Sequence, residues 1–150
     1  MRIAVANDHA GFPIKKAVIE AIEASGNEVL DLGAYTDERS DFPDFGEKAG
    51  RAIISGQADR AVVMCGSGIG ICMTVSKMKG IYAGLCHDIY SAHQGVEHDG
   101  MNVLCMGGQI IGPTLAKEIV TSFLNAKVMD VDRYQNRISK IKAIESEFFK

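Results

Sequence analysis

The feature that most constrains this chain is an alternation. Five short apolar runs, each long enough for a buried strand and too short for a core helix, are separated by segments whose apolar residues recur every three or four positions. The runs are "RIAVAN" (2–7), "EVLDLG" (28–33), "RAVVMC" (60–65), "IYAGLC" (81–86) and "NVLCMG" (102–107). The first helical segment opens near Pro13, places Ile14, Ala17, Val18, Ala21 and Ile22 on one face, and stops at Gly26. Others are expected at about 46–55, 69–78, 88–97 and 113–125, and the last segment carries Ile138, Ile141, Ile144 and Phe148 in helical register. Strands that are apolar throughout need cover on both faces, and parallel strands need helical crossovers of one hand. The alternation therefore predicts an α/β protein: a three-layer α/β/α sandwich with a doubly wound, Rossmann-like sheet of five parallel strands and a C-terminal helix. With 150 residues, 47% of them hydrophobic, and no repeat, linker or low-complexity stretch, one domain over residues 1–150 is expected.

Several function classes drop out. No apolar stretch approaches the roughly 18 residues a membrane helix needs, and "MRIAVANDHAG" turns polar too soon for a signal peptide. A cytoplasmic protein without a membrane partner is expected. A net charge of −3 with scattered Lys and Arg offers no basic patch for a phosphate backbone, so nucleic acid is not expected as a partner. Cys65, Cys72, Cys86 and Cys105 form no C-x-x-C pair and have no clustered histidines beside them, which argues against a metal site and a disulfide framework. Cys72, Cys86 and Cys105 lie inside apolar runs and read as small buried hydrophobes.

Cys65 differs by position. In doubly wound folds, ligands bind beyond the carboxyl ends of the strands. There the first strand is followed by Asn7, Asp8 and His9, the third by "CGSGIG", and the fourth by His87 and Asp88. Cys65 closes the third strand, before glycines whose size lets backbone amides converge and before a helix starting near Ile69. Unpaired amides and the helix dipole favour negative charge there, the setting in which a thiolate forms. A buried core cysteine followed by a tight glycine turn fits the same stretch. "GSGIG" is a weak nucleotide signal, because the dinucleotide fingerprint belongs after the first strand, which here carries "NDHAGF". His98 and Asp99 precede the fifth strand, at the wrong end of their own sheet for such a site, so a catalytic His98 would serve another subunit.

Taken together, "DHAGFPIKKAV", "SDFPDFG", "VVMCGSGIGI", "EHDGMNVLCMGG" and "DRYQNRISKIKAIE" resemble the ribose-5-phosphate isomerase type B family, which includes the galactose-6-phosphate isomerase subunits. The likeness runs collinearly over nearly the whole chain. It implies an aldose–ketose isomerase acting on a phosphorylated sugar through an enediolate, without metal or cofactor. It also implies a homodimer, or a tetramer built from it, with sites at the subunit interface. Residue by residue, the resemblance makes Cys65 the base that moves a proton between C1 and C2. Ser67 and the amides of Gly66, Gly68 and Gly70 would hold the enediolate oxygens. Asp8 would bind sugar hydroxyls, and His98 from the partner would open the furanose ring, a task suited to a side chain that titrates near neutrality. His9, Arg133 and Arg137 would grip the phosphate, and Asp99 stands beside His98 in the same pocket.

Each assignment has a plain structural counterpart. Asp8 and His9 fit as caps of the following turn, Arg133 and Arg137 as solvated charges on one helical face, and His98 as a loop histidine. His87, Asp88 and His93 have no family counterpart and read as structural. "SDFPDFG" reads as a loop packing aromatics over a pocket mouth. The chain departs from the family's common pattern at Phe42 for tyrosine, Tyr82 and Gln109 for arginines, and Asp99 for asparagine. Those departures touch the pocket and leave the Cys65 machinery intact, so substrates such as galactose 6-phosphate stand beside ribose 5-phosphate. A non-catalytic phosphometabolite-binding module is the rival of another class; such a module needs the glycine amides and no thiolate.

Overall fold

A computed structural model describes residues 1–149. Strand β1 (Arg2–Asn7) lies between β2 (Glu28–Asp31) and β3 (Arg60–Cys65), β3 continues to β5 (Val103–Gly107), and β4 (Ala83–Leu85) forms the edge. Every pairing is parallel, in the order β2-β1-β3-β5-β4. The chain winds outward from β1 to β2 and then returns past β1 to begin β3. The β1/β3 boundary is thus the switch point, with the loops after the two strands diverging above it. The expected five parallel strands are all present, shortened by two residues or more at β2 and β4.

Helices α1 (Phe12–Ala24), α2 (Phe42–Ile54), α3 (Ile69–Val75), α4 (Ile89–Asp99), α5 (Pro113–Asn125) and α6 (Asp132–Phe148) complete the order. Helix α1 ends where the sequence places its stop: Gly26 takes φ +77°, its amide donates to Glu23 O, and the Asn27 amide reaches Ile22 O. That six-to-one closure needs a residue that tolerates positive φ. Helix α2 starts earlier than the periodicity suggested. Phe42 to Gly46 form its first turns and not a loop, because Pro43 carries the fixed φ that a first turn accepts and has no amide to leave unsatisfied.

Alternation along each strand divides the core. Ile3, Val5, Val62, Met64, Leu104 and Met106 face the large aliphatic layer under α1, α4 and α5, where Phe123 is fully buried. Ala4, Ala6, Ala61, Val63, Cys65 and Cys105 face a smaller-residue layer under α2 and α3. Truncating Phe123 to alanine in such packing costs about 3–5 kcal/mol. The α6 face behaves otherwise. Of its apolar residues only Tyr134 is buried, while Ile141, Ile144 and Phe148 are 42%, 60% and 74% exposed. The sequence register is right, yet within one chain Ile138 is half-buried near Gly100 and the rest of the stripe, Ile141, Ile144 and Phe148, is left uncovered. No described helix is long and apolar enough to cross a membrane.

Candidate active site

The two loops at the switch point are stitched together. Asn7 pairs with Met64 in register, and the Asp8 amide donates to Met64 O at 3.3 Å. Close approach is possible because Gly11 has no side chain, since a Cβ there would lie 2.5 Å from Met64 O. Asp8 is 4% exposed, and its Oδ1 accepts the Ala10 and Gly11 amides, both at 2.9 Å. The capping role is therefore real, and it leaves Oδ2 as the oxygen able to meet a ligand. His9 is held by Ser40 in both directions: its amide donates to Ser40 Oγ at 3.1 Å, and the Ser40 amide donates to His9 Nδ1 at 3.2 Å. With Nδ1 accepting, the neutral ring carries its proton on Nε2.

Cys65 is 4% exposed at the tip of β3, and the Gly68 amide donates to its sulfur at 3.2 Å. That corrects one expectation, because the Gly68 amide is aimed at Cys65 instead of standing open for a ligand. The turn works through Gly68 at φ +80°, where a Cβ would also press on Met106 backbone. Ser67 Oγ accepts from the Ile69 amide at 3.2 Å, so its hydroxyl proton is free to donate outward. The loop after β5 clamps this turn from the other side. The Gly108 amide donates to Cys65 O at 2.9 Å, the Gln109 amide to Gly66 O at 3.0 Å, and a Cβ on Gly107 would meet Ser67 backbone at 2.6 Å. Gly107 and Gly108 are site-building residues to which the motif reading gave no role; the doubled glycine of "CMGG" was their signal. Gly70 is backed by the Phe42 ring, so that aromatic does pack against the loop.

His87 reads correctly as structural: its Nε2 accepts the Gly107 amide at 2.8 Å, and burial holds its pKa below the ordinary histidine value. Asp88 caps α4 through the Ser91 amide at 2.6 Å, and His93 pairs with Glu97 at 3.0 Å. Among the cysteines, Cys86 and Cys105 are buried as expected, whereas Cys72 is only partly so. It lines a small surface pocket with Ile69, Met73 and Leu85, and a hydrogen bond from the Cys105 thiol brings its pKa down to about 7. Burial pushes Cys86 the other way, up to about 11. A groove of about 1240 Å³ between α2 and α3 is lined by Phe42, Ile54, Met73 and Met78 and does not include Cys65.

The remaining expected site residues form a second group elsewhere. His98 and Asp99 end α4, before β5 begins, whereas Cys65 pairs with Gly107 at that strand's far end. Four strand residues separate the two levels by about 13 Å. His98 stacks on Tyr134 of α6, with centroids 3.9 Å apart and planes 19° apart. Arg133 lies over the same Tyr134 ring at 4.6 Å and donates to its hydroxyl at 3.0 Å. Arg137 is one turn further along α6, and both arginines are exposed. One chain thus brings Asp8, His9, Cys65 and Ser67 to one end of the sheet and His98, Asp99, Arg133 and Arg137 to another corner.

The Ribose/Galactose Isomerase family matches residues 3–141. The chain belongs to that family. It is 36% identical over 144 residues to ribose-5-phosphate isomerase B of Escherichia coli, covering 96% of each chain. D-erythrulose-4-phosphate isomerase 2 of Mycolicibacterium smegmatis is 33% identical, over 90% of this chain and 97% of that relative. The solved ribose-5-phosphate isomerase B of Clostridium thermocellum superposes with a TM-score of 0.93 at 36% identity, covering 99% of both chains.

Two of the chain's departures from the family pattern have plain structural roles. Tyr82 donates to Glu145 Oε2 at 2.8 Å, and Glu145 also accepts the Gly80 amide at 2.6 Å, so Tyr82 ties α6 to the strand edge. Burial, then that carboxylate, pushes its pKa up to about 12. Gln109 lies against the glycine loop, where its Oε1 would be 2.9 Å from a Cβ on Gly66.

Proposed function

We propose that this chain interconverts aldose and ketose phosphates, with ribose 5-phosphate and ribulose 5-phosphate an accepted pair, and that Cys65 is the base. The observation that carries the reading is the environment of the Cys65 sulfur. It sits buried at a strand end, accepts an amide hydrogen bond, and lies between the Asp8 loop and the Ser67 turn. Family membership supports the same reading, since the relatives named above are sugar-phosphate isomerases.

In the aldose-to-ketose direction the Cys65 thiolate takes the proton from C2. The C–H pair becomes the C1–C2 double bond, and the carbonyl pair moves onto O1. The Ser67 hydroxyl and the free loop amides donate to the oxyanion as its charge develops. Cys65 then returns the proton to C1, taken up by the C1–C2 pair, while the O2–H pair forms the C2 carbonyl and the O2 proton passes to O1. Asp8 Oδ2 accepts from a sugar hydroxyl. Arg39 stands at this end of the sheet, exposed beside the Ser40 that holds His9, but the resemblance puts the phosphate grip on His9 with Arg133 and Arg137, which one chain keeps apart. We therefore assign the phosphate to His9 together with Arg133 and Arg137 of a second copy, whose His98 attends the sugar ring. The uncovered Ile141, Ile144 and Phe148 stripe favours such a homodimer.

The deciding experiment follows proton exchange and isomerisation over tetrose, pentose and hexose phosphates, with wild type and Cys65→Ala side by side. Turnover of a phosphorylated aldose that vanishes in the variant supports the reading. A variant that keeps activity within threefold removes Cys65 as base, and a wild type that binds the panel and turns over none of it removes the enzyme.

A further inference from the structure

Helix α4 places Gln94, His98 and Asp99 on one face at i, i+4 and i+5. Gln94 Nε2 lies 3.0 Å from His98 Nδ1 and 3.4 Å from Asp99 Oδ2. A carboxylate only accepts hydrogen bonds, so the amino end of the Gln94 amide must face Asp99, and this removes the usual ambiguity over which way an amide points. The same NH₂ group has its second hydrogen directed at the imidazole. His98 Nδ1 therefore accepts, and the proton of the neutral ring lies on Nε2. The stack on Tyr134, itself 8% exposed, fixes the plane of the ring, leaving Gln94 to fix which nitrogen points outward.

We propose that Gln94 is a positioning residue for the reaction: oriented by Asp99, it holds neutral His98 as the Nε2–H tautomer, so that His98 meets the sugar as a donor. Asp99 acts on His98 through this amide; no bond joins the carboxylate to the imidazole.

The inference rests on the reading of His98 as the ring-opening residue. Opening a furanose breaks the C1–O4 bond, whose electron pair goes to O4. The C1 carbonyl forms from the O1–H pair, and the O1 proton passes to water. His98 donates a hydrogen bond from Nε2 to O4 as charge develops there, and O4 takes its proton from water, so in net one proton moves from O1 to O4, His98 stays neutral and nothing is oxidised. Only some substrates call for this. An aldopentose 5-phosphate closes its ring through the 4-hydroxyl, whereas in an aldotetrose 4-phosphate that oxygen is esterified and no furanose exists.

Two measurements on the full chain test the proposal separately. Nitrogen-15 NMR of the free protein, with the His98 signals identified by their loss in His98→Asn, reads the tautomer directly. Wild type is expected as Nε2–H, and Gln94→Glu, which replaces the amide donor by an acceptor, is expected to switch it to Nδ1–H. An Nδ1–H wild type, or a tautomer unmoved by Gln94→Glu, overturns the proposal. In the second measurement Gln94→Leu should lower kcat/KM for ribose 5-phosphate about tenfold more than for erythrose 4-phosphate. Equal losses on both substrates, with the tautomers as expected, overturn the ring-opening role of His98 and leave Gln94 as a tautomer clamp without catalytic consequence.

Discussion

The loops above the sheet and the α4–α6 corner are built by opposite means. Around Cys65 everything is fixed by burial and backbone: Asp8 and Cys65 are each 4% exposed, the amides of Gly68, Gly108 and Gln109 are spent on holding the turn, and glycines remove every Cβ that would keep the loops apart. Around His98 the side chains hold one another. Gln94 bonds to His98 and Asp99, His98 stacks on Tyr134, and Arg133 lies over the same ring, on a helix whose apolar stripe is uncovered. The first region can keep its geometry in a lone chain. On the proposed reading, the second takes both its cover and its task from another copy.

The difference is tested most severely at Cys65. Cys65→Ala should leave the fold and phosphosugar binding nearly intact and lower turnover about 10²- to 10⁴-fold, the usual cost of losing a general base. Mixing that variant with His98→Asn then probes the division itself. In a symmetric dimer with composite sites, half the dimers are mixed and each holds one complete site, so about a quarter of wild-type activity should return after subunit exchange. If all the chemistry belonged to one chain, mixing two dead variants would return none.

Arg137 probes the exposed corner by itself. Charge-assisted contacts to a phosphate are worth about 1.5–3 kcal/mol, so Arg137→Ala should weaken KM for every phosphorylated substrate by roughly 10- to 150-fold whatever sugar follows. Arg133→Ala should do the same with an added loss, because Arg133 also holds the Tyr134 hydroxyl. Comparable turnover of free ribose and its phosphate by wild type would sink both assignments.

The same contrast governs what the sequence made legible. Strand and helix order came through because the apolar period reports burial within the chain, and the Cys65 turn was legible because its parts lie in one short stretch. Phe42 to Gly46 misled because an aromatic- and proline-containing stretch reads equally as a loop or as the first turns of a helix. Cys72 misled because an apolar run does not say which of its members ends beside a surface pocket. The α6 stripe was read in the right register, yet periodicity does not say whether the cover comes from the same chain. Gln94 had no motif to mark it; its meaning depends on a helix that sets it four residues before His98, and on a carboxylate that fixes its amide.

Asp99 is the finer test of the corner. Asp99→Asn keeps an oxygen for the Gln94 amide while removing the negative charge, so it isolates charge from geometry. A carboxylate near the developing oxyanion opposes negative charge, and the variant should move preference toward ribose 5-phosphate by about tenfold, or roughly 1.4 kcal/mol in relative transition-state binding. Wild type is expected to accept ribose 5-phosphate and to prefer another short phosphorylated sugar. A wild type that already ranks ribose 5-phosphate first, with a ranking that Asp99→Asn leaves alone, makes the charge neutral to selectivity.

The smallest effect belongs to the buried half, and it is a matter of stability. His87 Nε2 accepts the Gly107 amide, and Gly107 supports the backbone of Ser67, so one titrating side chain underlies the otherwise non-titrating clamp on the glycine turn. Burial lowers its pKa in the folded state, which means that the unfolded chain binds the proton more readily. The contribution is therefore fully present above the unfolded value of about 6.5 and is lost as pH falls below it, until the folded value is passed as well. Protonation also removes the lone pair that accepts the Gly107 amide. Thermal unfolding followed across this window should show wild type losing a few degrees of Tm toward acid. His87→Gln, whose side-chain oxygen can accept the same amide without titrating, should show a shallower slope. An unchanged slope would move the acid sensitivity away from the Cys65 loops, and the buried half would then be held by backbone and packing alone.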